Sequence, residues 1–293
     1  MENEVFSLNR FWRYLKSDFD AFISKYGITL LVISTMPITC DVFTGVFSLM
    51  NMGRWQGLEI YSRLAFFITF GMILLISAPS KLYGHLTDRK EGSAFLLLPV
   101  SRLEKFISMI LITCVVLPFI FILIYLGLDV MVCMFDTTTD VSVFSFIYSL
   151  DEYKSTLAGA QVDMLTRLVN NFGSLANPYL YIDDIIQLPL IFLLGAIIFK
   201  TSKTGKTMGS VILISMVFKL AVTPILAYFT NMEHFYQIGN AGYLDYTSEA
   251  FASAYPFSAW VWSHITLIDT IWDNILNCLL LFFVWLRLKR IKL

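Results

Sequence analysis

Four ionisable side chains, Asp41, Lys219, Asp269 and Asp273, stand inside long apolar runs of this chain. A cation at the centre of a bilayer costs about 2.5 to 3.5 kcal/mol on insertion scales, so Lys219 demands an anionic partner or water. Counted from the basic ends of their runs, Lys219, Asp41 and Asp273 lie within roughly 5 Å of one depth at ~1.5 Å per residue. Asp269 falls one turn further along the face of Asp273. This placement predicts that Lys219 pairs with Asp41 or Asp273, either lining or gating a polar path or fixing how helices pack.

Other chemistry finds little support. His85, His234 and His264 belong to separate segments and none completes a His-Glu-x-x-His motif, and no Gly-x-Ser-x-Gly is present. Cys40, Cys114, Cys133 and Cys278 show no paired spacing, so neither a metal site nor a disulfide framework is expected. Thr204-Gly205-Lys206-Thr207 ends like a phosphate-binding loop, but Lys200 stands where the first glycine belongs and no strand precedes it. The expectation is a protein that is not itself an enzyme and holds no cofactor.

The elements that must position these residues are six apolar stretches, 27–47, 64–80, 106–128, 182–199, 208–229 and 265–286, each near the ~20 residues a crossing helix needs. Sixteen of the 21 Lys and Arg residues fall in four segments: the N-terminal arm, the loops after the second and fourth stretches, and the C-terminal tail. Because basic loops stay on the cytoplasmic side, both termini are predicted to be cytoplasmic in a multi-pass, inner-membrane protein. With 57% hydrophobic and 15% charged residues the composition is far from that of a soluble domain, and the net charge of -1 hides the charge separation, so nucleic acid is not an expected partner. The fold class is all-α: six transmembrane helices, 27–293, behind an interfacial amphipathic helix, 1–26.

In that arm Leu8, Phe11, Trp12, Leu15, Phe19, Phe22, Ile23 and Tyr26 recur at three- and four-residue steps among Arg10, Arg13, Lys16 and Asp20, the pattern of a helix lying flat in the membrane interface. No cleaved signal is expected, so the first span is retained as an anchor, and the arm either steadies that span or also turns its polar face to a cytoplasmic partner. Pro37, Pro118, Pro189 and Pro224 interrupt four spans and Pro79 ends another. Two segments, 129–181 and 230–264, are assigned to the outer side, the first with one or two amphipathic helices and the second aromatic.

The strongest functional signal is the cytoplasmic loop 80–105. Its core from Ala94 to Val100 is almost wholly apolar yet far too short to span. Gly92 and Ser93 offer a helix start, Pro99 a stop, and Ser101 with Glu104 has the spacing of a capping box that opens the third span. The prediction is a short apolar helix held between charged flanks, either the shape of a docking element or a segment tucked against the chain's own interfacial arm.

The run Arg89-Lys-Glu-Gly followed by Phe95-Leu-Leu-Leu-Pro-Val-Ser-Arg-Leu-Glu-Lys105 resembles the cytoplasmic segment between the second and third spans of type-2 ABC transporter permeases. That resemblance implies that residues 92–100 form the coupling helix seated in a groove of an ATP-binding cassette ATPase subunit. It makes Gly92, Phe95, Leu96, Leu97, Leu98 and Pro99 the docking surface, with Asp88, Arg89, Glu91 and Arg102 as polar contacts. It also implies a second permease copy or related subunit, ATP hydrolysis confined to the partner, and a role in export. The alternative is a secondary transporter or channel using the Lys/Asp cluster; such proteins usually show an internal repeat, and none is evident here.

Overall fold

The computed structural model describes residues 6–87, 92, 95, 97–136, 138–139, 141–148, 178–230, 260 and 264–290; of 147–148, 178–185, 219, 222–230, 265–266 and 269 it describes the backbone alone. Among the described residues all regular structure is helical. The principal helices are α1 (Leu8–Met52), α2 (Ile60–Tyr83), α3 (Arg102–Phe135), α4 (Val143–Tyr148), α5 (Pro178–Ile198), α6 (Lys203–Thr230) and α7 (Ile265–Arg290). The chain divides into two units, residues 1–204 with 277–293, and residues 205–276.

The six predicted spans fall on helices, the fourth overrunning its helix by one residue, Phe199. Four of the helices, α1, α2 with the 3-10 turn that follows it (Gly84–Thr87), α3 and the Thr270–Arg290 part of α7, are long and apolar enough to cross a membrane alone. A fifth candidate is the pair Ile186–Ile198 and Lys203–Phe218 taken as one broken span.

Two sequence expectations are corrected. The arm 1–26 is not a separate helix, because α1 runs on through residue 27 for 45 residues and stops only at Gly53. Gly53 adopts φ 64°, a left-handed turn open to glycine, and its N–H closes the helix on the Leu49 carbonyl. The apolar face of the arm also meets protein: Phe11, Leu15, Phe22 and Tyr26 are buried in the core of the first unit. Pro79 does not end α2, which continues to Tyr83. A proline deletes one backbone donor, and packing of Ala78, Leu82 and Tyr83 into the core is enough to carry the helix past it.

In that unit α5 packs along α2, and α1 runs against α2 and α3. The shared core includes Tyr26, Leu74, Met109, Phe121, Tyr125 and Leu193, with Phe67 stacked on Phe121 at 5.6 Å. α3 is not uniform: residues Leu111–Val116 wind as a π-helical turn between α-helical segments. Pro118 stands two residues after the turn, and its missing N–H leaves a carbonyl of the preceding turn without its usual donor, the local condition that favours such a turn.

Candidate functional site

The apolar segment after α2 is where sequence and structure converge. Of its described residues, Gly92, Phe95 and Leu97 are helical, and the chain bends at Leu98, Pro99 and Val100. The segment presents two faces. Phe95 is 8% exposed and joins the core, and Gly92 is so close to the Leu86 carbonyl that a Cβ there would lie 2.7 Å from the oxygen. Leu97, at 73% exposed, and Leu98, at 44%, face away. Ala94 and Leu96, like the predicted polar contacts Asp88, Arg89 and Glu91, lie outside the described residues.

A polar clasp holds the base of this tip. Ser101 and Glu104 form the predicted capping box at the start of α3, the Ser101 hydroxyl accepting from the Glu104 N–H at 3.2 Å and Glu104 Oε2 accepting from the Ser101 N–H at 3.0 Å. The same carboxylate, fully buried, takes Arg10 Nε at 2.8 Å, Arg10 Nη2 at 2.8 Å and the Ser7 N–H at 2.8 Å. Burial works against its charge, but the Arg10 guanidinium and the two backbone donors outweigh it and hold the Glu104 carboxyl down at about 2. Glu104 precedes Phe106, where the apolar stretch begins.

Lys105, next in sequence, is itself buried and donates to the carbonyls of Phe95 at 2.7 Å and Leu98 at 3.2 Å, its ammonium 5.0 Å from the Phe95 ring centre. These bonds set a cation against the carbonyls of the segment. Arg102, predicted as a partner contact, donates from Nη1 to the Lys289 carbonyl at 3.1 Å. On the other side of the tip, Lys203 Nζ donates to the Gly84 carbonyl and Thr204 to the Ser80 hydroxyl, so the basic turn after α5 braces the end of α2.

A second polar assembly, which sequence reasoning missed, joins the far ends of α1, α2 and α3. Arg63 is 1% exposed; its Nη1 donates to Asp129 Oδ1 at 2.8 Å and its Nη2 to the Val141 carbonyl at 2.6 Å. Asp129 Oδ2 accepts from the Val143 N–H at 2.6 Å, and Tyr125 donates to the Arg63 carbonyl at 2.7 Å. Asp41 belongs here: its Oδ1 accepts the Leu58 N–H at 2.7 Å. Asp136 takes the Trp55 indole N–H at 3.0 Å and both the N–H and hydroxyl of Thr138. Burial opposes the Asp136 charge, yet the Thr138 and Trp55 donors prevail and lower its carboxyl below the ordinary range. The predicted spans and loops assigned Arg63 and Asp129 to loop charge; no local signal pairs residues so far apart in sequence.

The side chains of Lys219 and Asp269 lie outside the described residues, and Asp273 is half-buried on α7. Among the described residues no group of His, Cys, Asp and Glu could hold a metal ion. Compared with protein-family models, curated proteins and solved structures, the chain finds no match in any of the three.

Proposed function

We propose that this chain is the membrane-spanning permease subunit of an ATP-driven ABC transporter, with six crossings, cytoplasmic termini and an inner-membrane location. Separate ATP-binding cassette subunits grip the tip at residues 92–100. The observation that carries this reading is the two-faced tip: Phe95 anchors it while Leu97 and Leu98 stand bare at the surface. Exposed large apolar side chains on a short, polar-flanked helix are the chemistry of a docking knob. The clasp of Glu104 with Arg10, and of Lys105 with the Phe95 and Leu98 carbonyls, supports it further, because a knob held from both sides transmits force to α1 and α3.

In this reading closure of the ATPases on nucleotide displaces the tip, and the clasp passes the displacement to the membrane helices. Assembly with a second copy or related subunit completes the pathway, and the direction is export.

The test is Leu97→Asp in the full-length protein expressed with its native chromosomal neighbours. Affinity purification from detergent should recover an ATPase with the parent chain and none with the variant, at equal membrane yield. Recovery of the ATPase by both, or of no ATPase by the parent, would refute the proposal.

A further inference from the structure

Beside the tip lies a half-open cavity of about 340 Å³, walled by α1, the end of α2 and the tip itself. That volume is within the range of small-ligand sites. Its aromatic wall is Tyr14, Phe22, Tyr83 and Phe95, and Asp18 also lines it. Oδ2 of Asp18 is occupied, accepting the Tyr83 hydroxyl at 3.0 Å and the Ser108 hydroxyl at 2.6 Å. Oδ1 accepts no hydrogen bond among the described residues, so a partly buried carboxylate oxygen is left for a donor. Lys25 and His85 line the same cavity, and the Lys25 ammonium supplies positive charge within electrostatic reach of Asp18.

An acidic acceptor among aromatic rings suits an ammonium group, and a lysine at the rim suits a phosphate. The two functions together describe a zwitterionic head. What kind of molecule carries it follows from the face of α1 that bears Lys25: Ile28 and Val32, three and seven residues further on, are 77% and 52% exposed, bare apolar surface on that face. Acyl chains would cover these side chains as the head enters the cavity.

We infer that the cavity between α1, α2 and the tip binds the headgroup of an amine-bearing phospholipid, the ammonium on Asp18 and the phosphate on Lys25. The inference rests on the membrane placement in the proposed function and not on the ATPase. An all-anionic head is disfavoured by Asp18, and a trimethylated head brings no N–H to Oδ1.

The test purifies the full-length protein from detergent containing equal amounts of phosphatidylethanolamine, phosphatidylcholine and phosphatidylglycerol, and quantifies the retained lipids by native mass spectrometry. Selective retention of phosphatidylethanolamine is expected. Asp18→Asn should lower it about tenfold, the loss of one charge-assisted hydrogen bond, with retention of phosphatidylcholine unchanged. Lys25→Ala, at an exposed position, should weaken phosphatidylethanolamine and phosphatidylglycerol alike. Retention in the supplied proportions, or a lipid preference that survives Asp18→Asn and Lys25→Ala, overturns the inference. So does free O-phosphoethanolamine raising the melting temperature as much as the lipid does, because the source would then be a soluble head. None of these readouts involves an ATPase, so this inference and the docking proposal fail separately.

Discussion

Arg10 and Glu104, 94 residues apart, meet in a two-pronged ion pair with both contacts at 2.8 Å, tying the first turn of α1 to the first turn of α3. The carboxylate is fully enclosed and accepts from four donors, so it stays ionised without water. The apolar tip hangs between this pair and the end of α2. Whatever pulls on the tip therefore pulls on two long helices at once.

Glu104→Gln keeps the shape and removes the charge. It should cost about 1.5 to 3 kcal/mol, the range for hydrogen bonds to charged groups. Thermal unfolding in detergent at neutral pH measures it, and a change indistinguishable from zero would show that the clasp is ornamental.

The same residue sets a pH window. The Glu104 carboxyl is lowered from 4.5 to about 2 in the folded protein, so its contribution is complete above the unfolded value and is lost as pH falls toward the folded one. The parent should lose stability relative to Glu104→Gln between about pH 5 and pH 2, and the difference between them should be flat from pH 6 to 8. A difference that grew with rising pH would contradict the assignment.

Arg63 and Asp129 are both buried, and removing either strands the other. Arg63→Met or Asp129→Leu alone should destabilise by about 3 to 5 kcal/mol. The double replacement Arg63→Met with Asp129→Leu should recover part of that, since neither charge is then left unpaired. A double-mutant cycle on melting temperatures decides, and strict additivity would exclude the coupling.

Gly57 sits where no side chain fits. A Cβ there would fall 2.1 Å from Asp136 Oδ2 and 2.9 Å from Asp41 Oδ1, and the Gly57 N–H donates to Thr138 at 3.1 Å. Gly57→Ala should cost about 1 to 3 kcal/mol by forcing those carboxylates apart. Gly127→Ala, in open space on α3, is the control and should be neutral or better.

The two faces of the tip should separate in stability measurements. Phe95→Ala should cost about 3 to 5 kcal/mol because it opens a cavity under the segment. Leu97→Ser should change the isolated protein by no more than about 0.5 kcal/mol, the usual range for an exposed site. Equal losses at both positions would mean that Leu97 is also covered.

Much of the local structure is legible in the residues alone. A run of twenty apolar residues has few alternatives to a helix, and all six such runs fall on helices. Ser101 and Glu104 are three residues apart, so a capping box needs only the backbone between them, and it forms as expected. Of the apolar stripe of the arm, Phe11, Leu15, Phe22 and Tyr26 are buried against protein, while Leu8, Trp12 and Ile23 stay exposed.

Pairings across the fold were not legible, because a hydrophobic period reports one face of one helix and carries no information about its neighbour. The Asp41 carboxylate accepts the Leu58 N–H, a contact created by how the chain turns after Gly53 and invisible to a count of helical depth. Pro79 read as a helix end and is not one, since core packing beyond it outweighs one missing hydrogen bond. By itself the sequence determined the long helices and the Ser101–Glu104 cap, which depend on neighbours within a few residues. Only the tertiary structure decided that Glu104 meets Arg10, that Arg63 meets Asp129 and that Asp18 lines a cavity, because each depends on packed helices bringing distant charges together away from water.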